Sequence, residues 1–595
     1  MRRLRLPRPR WPRAWRDPYL WLVLMFALVA ALPLAGPLYF FDAHDAWNTV
    51  FFLTEFDAAI RDGVWYPGWA TDQALGYGYP TFVFIPPLAY YAAEVFHLLG
   101  ADQVAAVKWT FALATVGAGL GMYLYARRVA GRRRGLLAAV VYVFMPYHLV
   151  DIYVRADLAE YSAFVWMPLA LLAFHELTGR FTPRRLGLAA LAYGALWLTH
   201  NLVGVVFTPL LAAYILLRVF RASPSWRGGV RRALGALAGG ALGLGVAAAL
   251  VLPNLLEREY IVQEQWVRAG YHYALHFLDP AHLLSPAWGY APGVPGTAGG
   301  ASFQLGAVAL TLAAVAFLAA MRRGARSSRE RALILFFVAA TAAVVVTMMP
   351  ISAPLWKLVP IAALIQFPWR LLALTSVTLS ILSALALNRQ QAASRPQTGS
   401  RSNESTNLPG PILILALVAM LASLGYTRPQ YTPTPASAGT PLLSIEFELK
   451  YEDMRGMVAW TEEMPATSPL VEQYLSGQPL VTAEVLAPGA SVEMVRAAGA
   501  SDELWVRSAE GTSLRFYTYY FPGWRVYLDG ERLPDSALRP EGEHGLLTVD
   551  VPPGEHHVLL RWGDTAVRAI GKGMTLVSLA LALGLVSWGC LRRHS

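Results

Sequence analysis

The sequence predicts a polytopic α-helical membrane protein with about twelve transmembrane helices and a C-terminal extracytoplasmic β-sandwich domain. The first observation is composition: 55% of the 595 residues are hydrophobic, only 15% are charged, and the mean hydropathy is +0.40. Such a chain is too apolar for a soluble protein. The second is that apolar stretches of spanning length recur along the chain. The third is that the hydrophobic pattern changes to the alternation of β-strands after about residue 440.

The apolar segments are close to the roughly 20 residues that cross a bilayer as a helix. We interpret the first as an uncleaved signal-anchor and not as a cleaved signal peptide, because it is long enough to span and more spans follow. The twelve segments are 19–40, 105–126, 136–152, 158–177, 186–200, 202–218, 233–253, 303–320, 332–349, 369–387, 411–426 and 569–591.

The positions of the basic residues predict the orientation. If both termini are cytoplasmic, every basic loop falls on the cytoplasmic side, as the positive-inside rule requires. The net charge of +10 then reflects topology, and nucleic acid is not an expected partner. The basic stretches are residues 1–16, 127–134, 180–185, 218–232, 322–331, 389–401 and 592–593.

This topology divides the chain into three parts in a bacterial inner (plasma) membrane. Residues 1–426 are the transmembrane domain, with outer loops 41–104 and 254–302. Residues 427–568 are the outer β-domain, and residues 569–595 are the last transmembrane helix and a short cytoplasmic tail.

Two segments inside the first part need separate interpretation. Residues 81–99 are apolar but carry Pro86-Pro87, Glu94 and His97, and counting them as a span would place the basic loop 127–134 outside. We expect a helix in the outer interface or a re-entrant segment. The polar stretch 388–410 is predicted to be a flexible linker. The single cysteine, Cys590, excludes an intrachain disulfide.

The predicted β-domain contains four β-rich runs, LRFYTYYF, WRVYLDGERL, GLLTVDV and HHVLLRW. Asp529-Gly530 between two of these apolar stretches predicts a hairpin, and Pro552-Pro553-Gly554 predicts a turn. Together they favour a small β-sandwich.

The first outer loop offers candidate catalytic carboxylates. Asp42, His44 and Asp45 follow the first span directly, where a carboxylate could take a proton from an acceptor hydroxyl. Solvated acids, with Asp45 as the N-cap of a helix over 46–62, are the structural alternative. On that helix, Glu55 and Asp57 are expected to be solvated.

Aromatic residues are frequent in the same loop. Trp47, Trp65, Tyr66 and Trp69 are typical of an interfacial aromatic belt, although they could also stack on sugar rings.

The second outer loop carries Arg155, Asp157 and Glu160. Two acids three residues apart share a helix face, where they could orient an acceptor or hold a divalent cation beside Asp45. A salt bridge to Arg155 at a helix start is the alternative. His200-Asn201, at a turn between two spans, is a further candidate or an ordinary hydrogen-bonded pair.

The sequence Gln366-Phe-Pro-Trp369-Arg370 precedes the tenth predicted span. Arg370 could bind a lipid phosphate through paired hydrogen bonds, or extend to ordinary headgroups. The loop 254–302 is expected to cover the substrate. Its His272, His276 and His282 lack zinc-type spacing. Walker, GxGxxG and GxSxG motifs in a suitable context are absent from the sequence.

The order of these signals resembles the GT-C superfamily of membrane glycosyltransferases. More closely, the chain is similar to a bacterial membrane-protein family labelled 6-pyruvoyl-tetrahydropterin synthase-related, although nothing here supplies the zinc ligands of the soluble synthase. The likeness covers nearly the whole length. It is carried by GVWYPGW (63–69), GYGYPTFVFIPPLAYY (76–91), RADLAEYSAF (155–164), THN (199–201), QFPWR (366–370), FPGWRVYLDG (521–530) and an ARRxxG-like loop at 126–131.

The GT-C resemblance implies an inverting transfer from a polyprenyl-phosphate sugar to an envelope glycan, glycolipid or protein. It implies Asp45 as general base with Asp42 in reserve, since the paired acids of relatives are split here. Asp157 and Glu160 would support the base, and Mg²⁺ or Mn²⁺ could take part. The expected substrate-binding residues are Arg370, His44, His200, Asn201, Arg155, Gln366, Trp369 and Tyr91.

Two other functions remain open from the sequence. A transporter or flippase for lipid-linked saccharides would place charged residues deep within the spans. A non-enzymatic envelope protein would bind glycans through its β-domain alone.

Overall fold

The computed structural model describes residues 17–591 except 224, 292–293, 297–298, 323 and 388–409. The basic N-terminal stretch 1–16, the predicted linker up to residue 409, Arg592-Arg593 and the Cys590 side chain lie outside the described residues. The α-helices are α1 (Pro18–Ala31), α2 (Ala46–Arg61), α3 (Thr81–Phe84), α4 (Leu88–Leu98), α5 (Gln103–Ala130), α6 (Arg132–Val143), α7 (Pro146–Val150), α8 (Leu158–Gly179), α9 (Pro183–Thr199), α10 (Asn201–Ala222), α11 (Trp226–Val246), α12 (Ala248–Leu256), α13 (Pro280–Leu284), α14 (Ala307–Met321), α15 (Ser328–Thr347), α16 (Ala353–Leu358), α17 (Leu372–Ala386), α18 (Gly410–Ser423), α19 (Leu442–Lys450), α20 (Pro469–Ser476) and α21 (Ala566–Leu591).

The predicted helical architecture is confirmed, but the number of spans is not. Seven described helices are long and apolar enough to cross a membrane, or nine if each of two bent pairs is one span. The bent pairs are α6 with Pro146–Arg155, at 45°, and α11 with α12, at 78°. Two shorter apolar helices are also present, α14 and Gly410–Tyr426. Each of the twelve predicted segments overlaps a described helix, but not every one of these helices is long enough to span by itself. The count of twelve therefore stays a prediction.

Successive long helices are joined by short connections and run antiparallel, so their turns gather at two ends of the bundle. At one end, which we call the basic end, Arg127 lies 3.4 Å from Asp17, and Arg134 lies 2.9 Å from Glu330. The opposite end, which we call the site end, is formed by residues 36–102, 144–157, 199–201, 348–371 and the described residues of 247–306.

The segment 81–99 does not form one long helix. It forms α3 and α4, which are 4 and 11 residues long. Pro86-Pro87 separate them, because proline lacks the N–H that would continue the helix. Neither helix reaches the roughly 20 residues of a span.

The C-terminal β-region consists of two antiparallel sheets, with strand orders β1-β4-β8-β7 and β2-β3-β9-β5-β6. The four predicted runs correspond to β4, β5 with β6, β8 and β9, whereas β1, β2, β3 and β7 were not predicted. The strands are β1 (Ala483–Val485), β2 (Ser491–Ala497), β3 (Ser501–Ser508), β4 (Thr512–Tyr519), β5 (Trp524–Leu528), β6 (Glu531–Arg532), β7 (Arg539–Glu541), β8 (Leu546–Val551) and β9 (Gly554–Trp562).

The predicted hairpin at Asp529-Gly530 is confirmed. Leu528 pairs with Glu531, and the two turn residues have φ of 50° and 86°. Two consecutive positive φ values are typical of a type I′ turn, which matches the twist of the strands on either side.

Trp69 of the first loop contacts the β-region. Its ring centroid lies 5.0 Å from that of Trp562 and 5.3 Å from that of Trp524. Only 1% of Trp69 is exposed, so the belt interpretation is wrong for this residue. Trp65, by contrast, is 75% exposed.

Candidate functional site

The candidate site lies where the chain turns from α7 to α8. A π-helical turn over Asp151–Arg155 ends at Ala156, which has the left-handed φ of 57°. Asp157 then begins α8, and its Oδ1 accepts a hydrogen bond from the Glu160 N–H at 2.9 Å. Because of this tight turn, three acids and an arginine from ten residues of sequence lie together.

The Arg155 guanidinium lies at the centre of the group. Its closest atoms are 2.5 Å from Asp151, 2.9 Å from Glu160, 3.0 Å from Asp157 and 3.8 Å from Asp45. Arg370 approaches Glu160 from another segment, with Nε 3.5 Å from Oε2. We call these six residues the carboxylate–arginine cluster: Asp45, Asp151, Arg155, Asp157, Glu160 and Arg370.

Asp45 is held against this turn by its backbone. Its N–H donates to the Arg155 carbonyl at 2.6 Å, and the preceding His44 N–H donates to the Val154 carbonyl at 3.1 Å. Thr49 adds a hydroxyl bond to the Ala156 carbonyl at 2.9 Å. Asp45 occupies the N-cap position of α2, but its side chain makes no capping hydrogen bond. The carboxylate is therefore not used as a helix cap.

Members of the cluster differ in access. The side chains of Asp151 and Glu160 are 0% and 1% exposed, Asp157 is 15% exposed, and Asp45 is 35% exposed. The protein around Asp45 raises the pKa of its carboxyl to about 6, mainly by desolvation and then by the nearby Asp157, while Arg155 and Arg370 oppose the rise. Asp45 is thus the cluster carboxylate best placed to meet another molecule.

The cluster contains four carboxylates and two arginines, and this excess of acidic groups favours the binding of a cation. Asp157, Glu160 and His200 offer ligand atoms within 4.8 Å of one another. Glu160 Oε2 is buried, with Arg155 Nη1 at 2.9 Å and Arg370 Nε at 3.5 Å. Carboxylate oxygens are the ligands that Mg²⁺ and Mn²⁺ prefer.

His200 fits this set less well than the two acids. Its Nδ1 accepts a hydrogen bond from the Val203 N–H at 3.1 Å, as the N-cap of α10. In the neutral ring the proton is then on Nε2, which donates and does not coordinate. His200 is therefore better suited to donate to Asp157 or Glu160 than to bind a metal directly.

The QFPWR segment forms one wall of the site. The Arg370 side chain donates to Gln366 Oε1 at 3.3 Å, and Gln366 Nε2 donates to the Trp266 carbonyl at 2.6 Å. Gln366 has the left-handed φ of 61°, an uncommon conformation for a residue other than glycine. The Arg155 guanidinium lies over the Trp369 ring, 5.0 Å from its centroid. These contacts join loop 254–302 to the two arginines.

An apolar groove of about 440 Å³ adjoins this wall. It lies between α10, α15 and the segments on either side of Gln366, and its lining includes Ile365 and Leu371. Further lining residues are Leu210, Ala340, Val344 and Trp356.

Four predicted site residues do not join the cluster. Asp42 is exposed, and it forms no ion pair within the described residues. The Tyr91 hydroxyl donates to the Trp65 carbonyl at 2.5 Å, and Asn201 Nδ2 lies 3.3 Å from the Phe84 carbonyl. The remaining residue is His44, whose Nε2 is 3.1 Å from the Tyr290 carbonyl. Their predicted roles stay predictions.

The expectation that Glu55 and Asp57 are solvated is wrong. They are 2% and 9% exposed, because α2 is covered by other parts of the protein on most of its sides. Asp57 pairs with Arg61 at 2.7 Å, and Glu55 Oε1 accepts from the Asp72 N–H at 3.1 Å.

Sequence reasoning missed two residues of the site. Asp151 precedes Arg155 by four residues, and this spacing on a helix could have identified it as a partner. The Tyr147 hydroxyl donates to Glu160 Oε1 at 2.5 Å, but nothing in the sequence marks a buried tyrosine as a partner for a distant acid.

Comparison with known proteins gives one family match. The model described as "6-pyruvoyl-tetrahydropterin synthase related domain; membrane protein" matches residues 82–427. No curated protein matches the sequence.

Three similar solved structures carry the names of transferases. Arabinofuranosyltransferase AftD from Mycobacteria aligns at 16% identity and a TM-score of 0.38, over 70% of this chain and 27% of its own. The Archaeoglobus fulgidus oligosaccharyltransferase, solved with Zn and sulfate, aligns at 13% identity and a TM-score of 0.39, over 70% of this chain and 54% of its own. Arabinosyltransferase EmbB from Mycobacterium smegmatis aligns at 12% identity and a TM-score of 0.36, over 95% of this chain and 64% of its own. The chain thus spans less than two thirds of each.

Proposed function

The chain belongs to the 6-pyruvoyl-tetrahydropterin synthase-related family of membrane proteins, and from its carboxylate–arginine cluster we propose that it is an inverting membrane glycosyltransferase. The donor is a polyprenyl-phosphate sugar, and the acceptor is an envelope glycan, glycolipid or protein. The observation that carries the proposal is one partly exposed carboxylate, Asp45, in a cluster with Arg155 and Arg370, where residues on either side of the Arg370 segment line an apolar groove.

Asp45 is the general base. It takes the proton from the acceptor hydroxyl as the hydroxyl oxygen forms a bond to the anomeric carbon from the face opposite the donor phosphate. The bond between that carbon and the phosphate oxygen breaks, and the polyprenyl phosphate leaves with the electron pair. A pKa of about 6 suits this role, since the carboxylate is mostly ionised at neutral pH yet more basic than an ordinary aspartate.

Arg370 binds the departing phosphate. Its guanidinium is 17% exposed, in contrast to 2% for Arg155, so it is the arginine that a ligand can reach. Charge-assisted hydrogen bonds from a guanidinium strengthen as negative charge develops on the phosphate. Arg155 instead holds Asp45, Asp157 and Glu160 in position.

A divalent cation fits the same group. Asp157 and Glu160 would hold it, because they are adjacent carboxylates in a cluster with excess negative charge. The ion would supply further positive charge for the phosphate. His200 would hold the carboxylates through Nε2–H.

The groove beside Arg370 accounts for the lipid part of the donor. Ile365 and Leu371 stand on either side of the segment that carries Arg370, so a phosphate bound there has apolar surface next to it. Loop 254–302, joined to Gln366 through Trp266, would cover the sugar from the other side.

The direct test is transfer of sugar by the purified full-length protein carrying Asp45→Ala. Loss of a general base costs about 10²- to 10⁴-fold in rate, while insertion and thermal stability should stay near wild type. Asp42→Ala is the matched control, and it should retain transfer.

Normal transfer by Asp45→Ala would contradict the proposal. Both translocation of the lipid-linked saccharide and sugar transfer can be measured in reconstituted vesicles. Movement of the saccharide between leaflets without any transfer would identify a transporter instead.

A further inference from the structure

A second, larger groove runs along the outside of the helical bundle, apart from the site. Its volume is about 960 Å³, and it lies between α5, α8, α9 and α21. Its walls are apolar over most of their length, including Leu124, Trp166, Leu169, Ala195 and Leu579. The carboxylate–arginine cluster contributes nothing to its lining.

The groove extends along most of α9. Its lining includes Arg184 at the start of this helix and Leu198 near the end. At 1.5 Å per residue, these positions are about 21 Å apart, which is a large part of the roughly 30 Å hydrocarbon core of a bilayer. One extended acyl chain therefore fits its length.

Charge is concentrated where the groove reaches the basic end. Four arginines and one glutamate line this part, and they are Arg127, Arg128, Arg184, Arg185 and Glu176. Arg128 and Arg185 share Glu176, and Arg127 lies 3.4 Å from Asp17. Positive charge remains in excess.

Arg184 supplies part of that excess. It forms no ion pair within the described part of the chain, and its Nε is buried without a hydrogen-bond partner. It also lies in the first turn of α9, where the Thr182 side chain caps the Arg185 N–H and the helix dipole is positive. An unpaired guanidinium and a helix N-terminus at the end of an apolar channel suit an anion with a hydrocarbon tail.

We infer that this groove binds an anionic phospholipid, with its phosphodiester at Arg184 and Arg128 and one acyl chain extending along α9 toward Leu198. A zwitterionic lipid would bring its own cation to Arg184, so it binds more weakly. This inference does not depend on the proposed transferase activity.

The test is native mass spectrometry of the intact full-length protein released from detergent. Dioleoyl-phosphatidylglycerol and dioleoyl-phosphatidylcholine, which have the same chains, are titrated separately. We expect the first to bind more tightly. Arg184→Ala should weaken it about fivefold, the effect of one basic residue near an anionic lipid, and leave phosphatidylcholine unchanged. Arg184→Lys should restore most of the binding.

Three further variants distinguish recognition of the lipid headgroup from binding of the acyl chain. Glu176→Gln removes the competing carboxylate and should tighten phosphatidylglycerol binding. Ala195→Trp fills the channel and should weaken both lipids. Arg231→Ala is the matched control, because Arg231 is exposed in another basic stretch at the same end of the bundle but does not line the groove.

Three results would overturn the inference. Equal binding of the two lipids, or equal losses in Arg184→Ala and Arg231→Ala, would show that the groove does not select an anion. Tighter binding of undecaprenyl phosphate than of phosphatidylglycerol, lost in Ala195→Trp, would make this groove a site for polyprenyl lipid.

Discussion

The carboxylate–arginine cluster and a second group of acids, Glu55, Asp72 and Glu448, are both buried, but they balance their charge differently. In the first, Arg155 lies within 3.0 Å of three carboxylates. In the second, the acids form no ion pair with lysine or arginine in the described structure. Their partners are backbone amides and a hydroxyl.

The second group holds the loop over residues 70–80. Glu448 accepts hydrogen bonds from the N–H groups of Ala74 and Leu75 at 2.9 and 2.6 Å, and both residues have positive φ. Asp72 accepts from the Tyr474 hydroxyl at 2.5 Å. Desolvation raises the pKa of Glu448 to about 7 and also raises the pKa values of Glu55 and Asp72.

The difference separates a site from a scaffold. Although burial alone would raise the pKa of Asp157, the Arg155 guanidinium holds that pKa below its ordinary value, so this carboxylate stays ionised. Burial without a cation instead raises the pKa of an acid such as Glu448 and leaves it as a hydrogen-bonding group. An acidic residue in the first loop is therefore not by itself evidence of a catalytic role. Proximity to an arginine, with partial exposure, is the better mark.

Removing the central cation should have the largest effect. Arg155→Met leaves Asp151 buried without its cation and removes the closer of the two arginines at Glu160, and we expect a loss of about 3–5 kcal/mol in unfolding free energy together with loss of transfer. Chemical unfolding in detergent measures the first, and a sugar-transfer assay measures the second.

The matched change in the other group is Glu55→Gln. Because the fold already favours the protonated form of Glu55, an amide should replace it at a cost below about 1 kcal/mol. A large loss for Glu55→Gln, or a small one for Arg155→Met, would contradict the distinction between the two groups.

An intermediate effect is expected from Glu448→Ala. This change leaves the Ala74 and Leu75 amides buried without an acceptor, and each unsatisfied group costs about 1–3 kcal/mol. The loop over residues 70–80 should loosen, which hydrogen exchange at Leu75 would report. The rate of the chemical step should stay near wild type in single-turnover transfer, and a collapse of that rate would show that this group serves catalysis.

Much of the fold follows from patterns that lie within single segments. Helix positions, the hairpin at Asp529-Gly530 and the separation at Pro86-Pro87 depend on local hydrophobicity and backbone preference. The edge strands β1 and β7 were missed because they are only three residues long and lack a clear alternation.

The site was predictable only in part. Asp45, Arg155, Asp157, Glu160 and Arg370 stood out because charge at the ends of apolar spans is unusual. Burial of Glu55 was missed because its hydrogen-bond partner is the Asp72 backbone and its helix α2 packs against α19, which is far away in the sequence, so no local pattern reports it. The use of His200 Nδ1 as a helix cap likewise appears only in three dimensions.

The smallest and most diagnostic effect is that pH should act on the two groups with opposite sign. Asp45 must lose its proton to act as base, so transfer should rise with pH through about 6 and fall about tenfold per unit below it. Glu448 keeps its proton up to about pH 7 when folded but releases it near 4.5 when unfolded. Its stabilisation is therefore complete below about 4.5 and is lost as pH rises through 7.

Glu55 and Asp72, and Asp502 with a pKa of about 7, act on stability in the same direction as Glu448. The contribution of these acids to thermal stability should thus be larger at pH 5 than at pH 8, while initial transfer rates show the reverse. Glu448→Gln should flatten the stability profile and leave the midpoint of the rate profile near 6, because the two groups titrate separately. A rate midpoint that moved with Glu448→Gln would mean that the two groups are coupled, and the scaffold would then belong to the site.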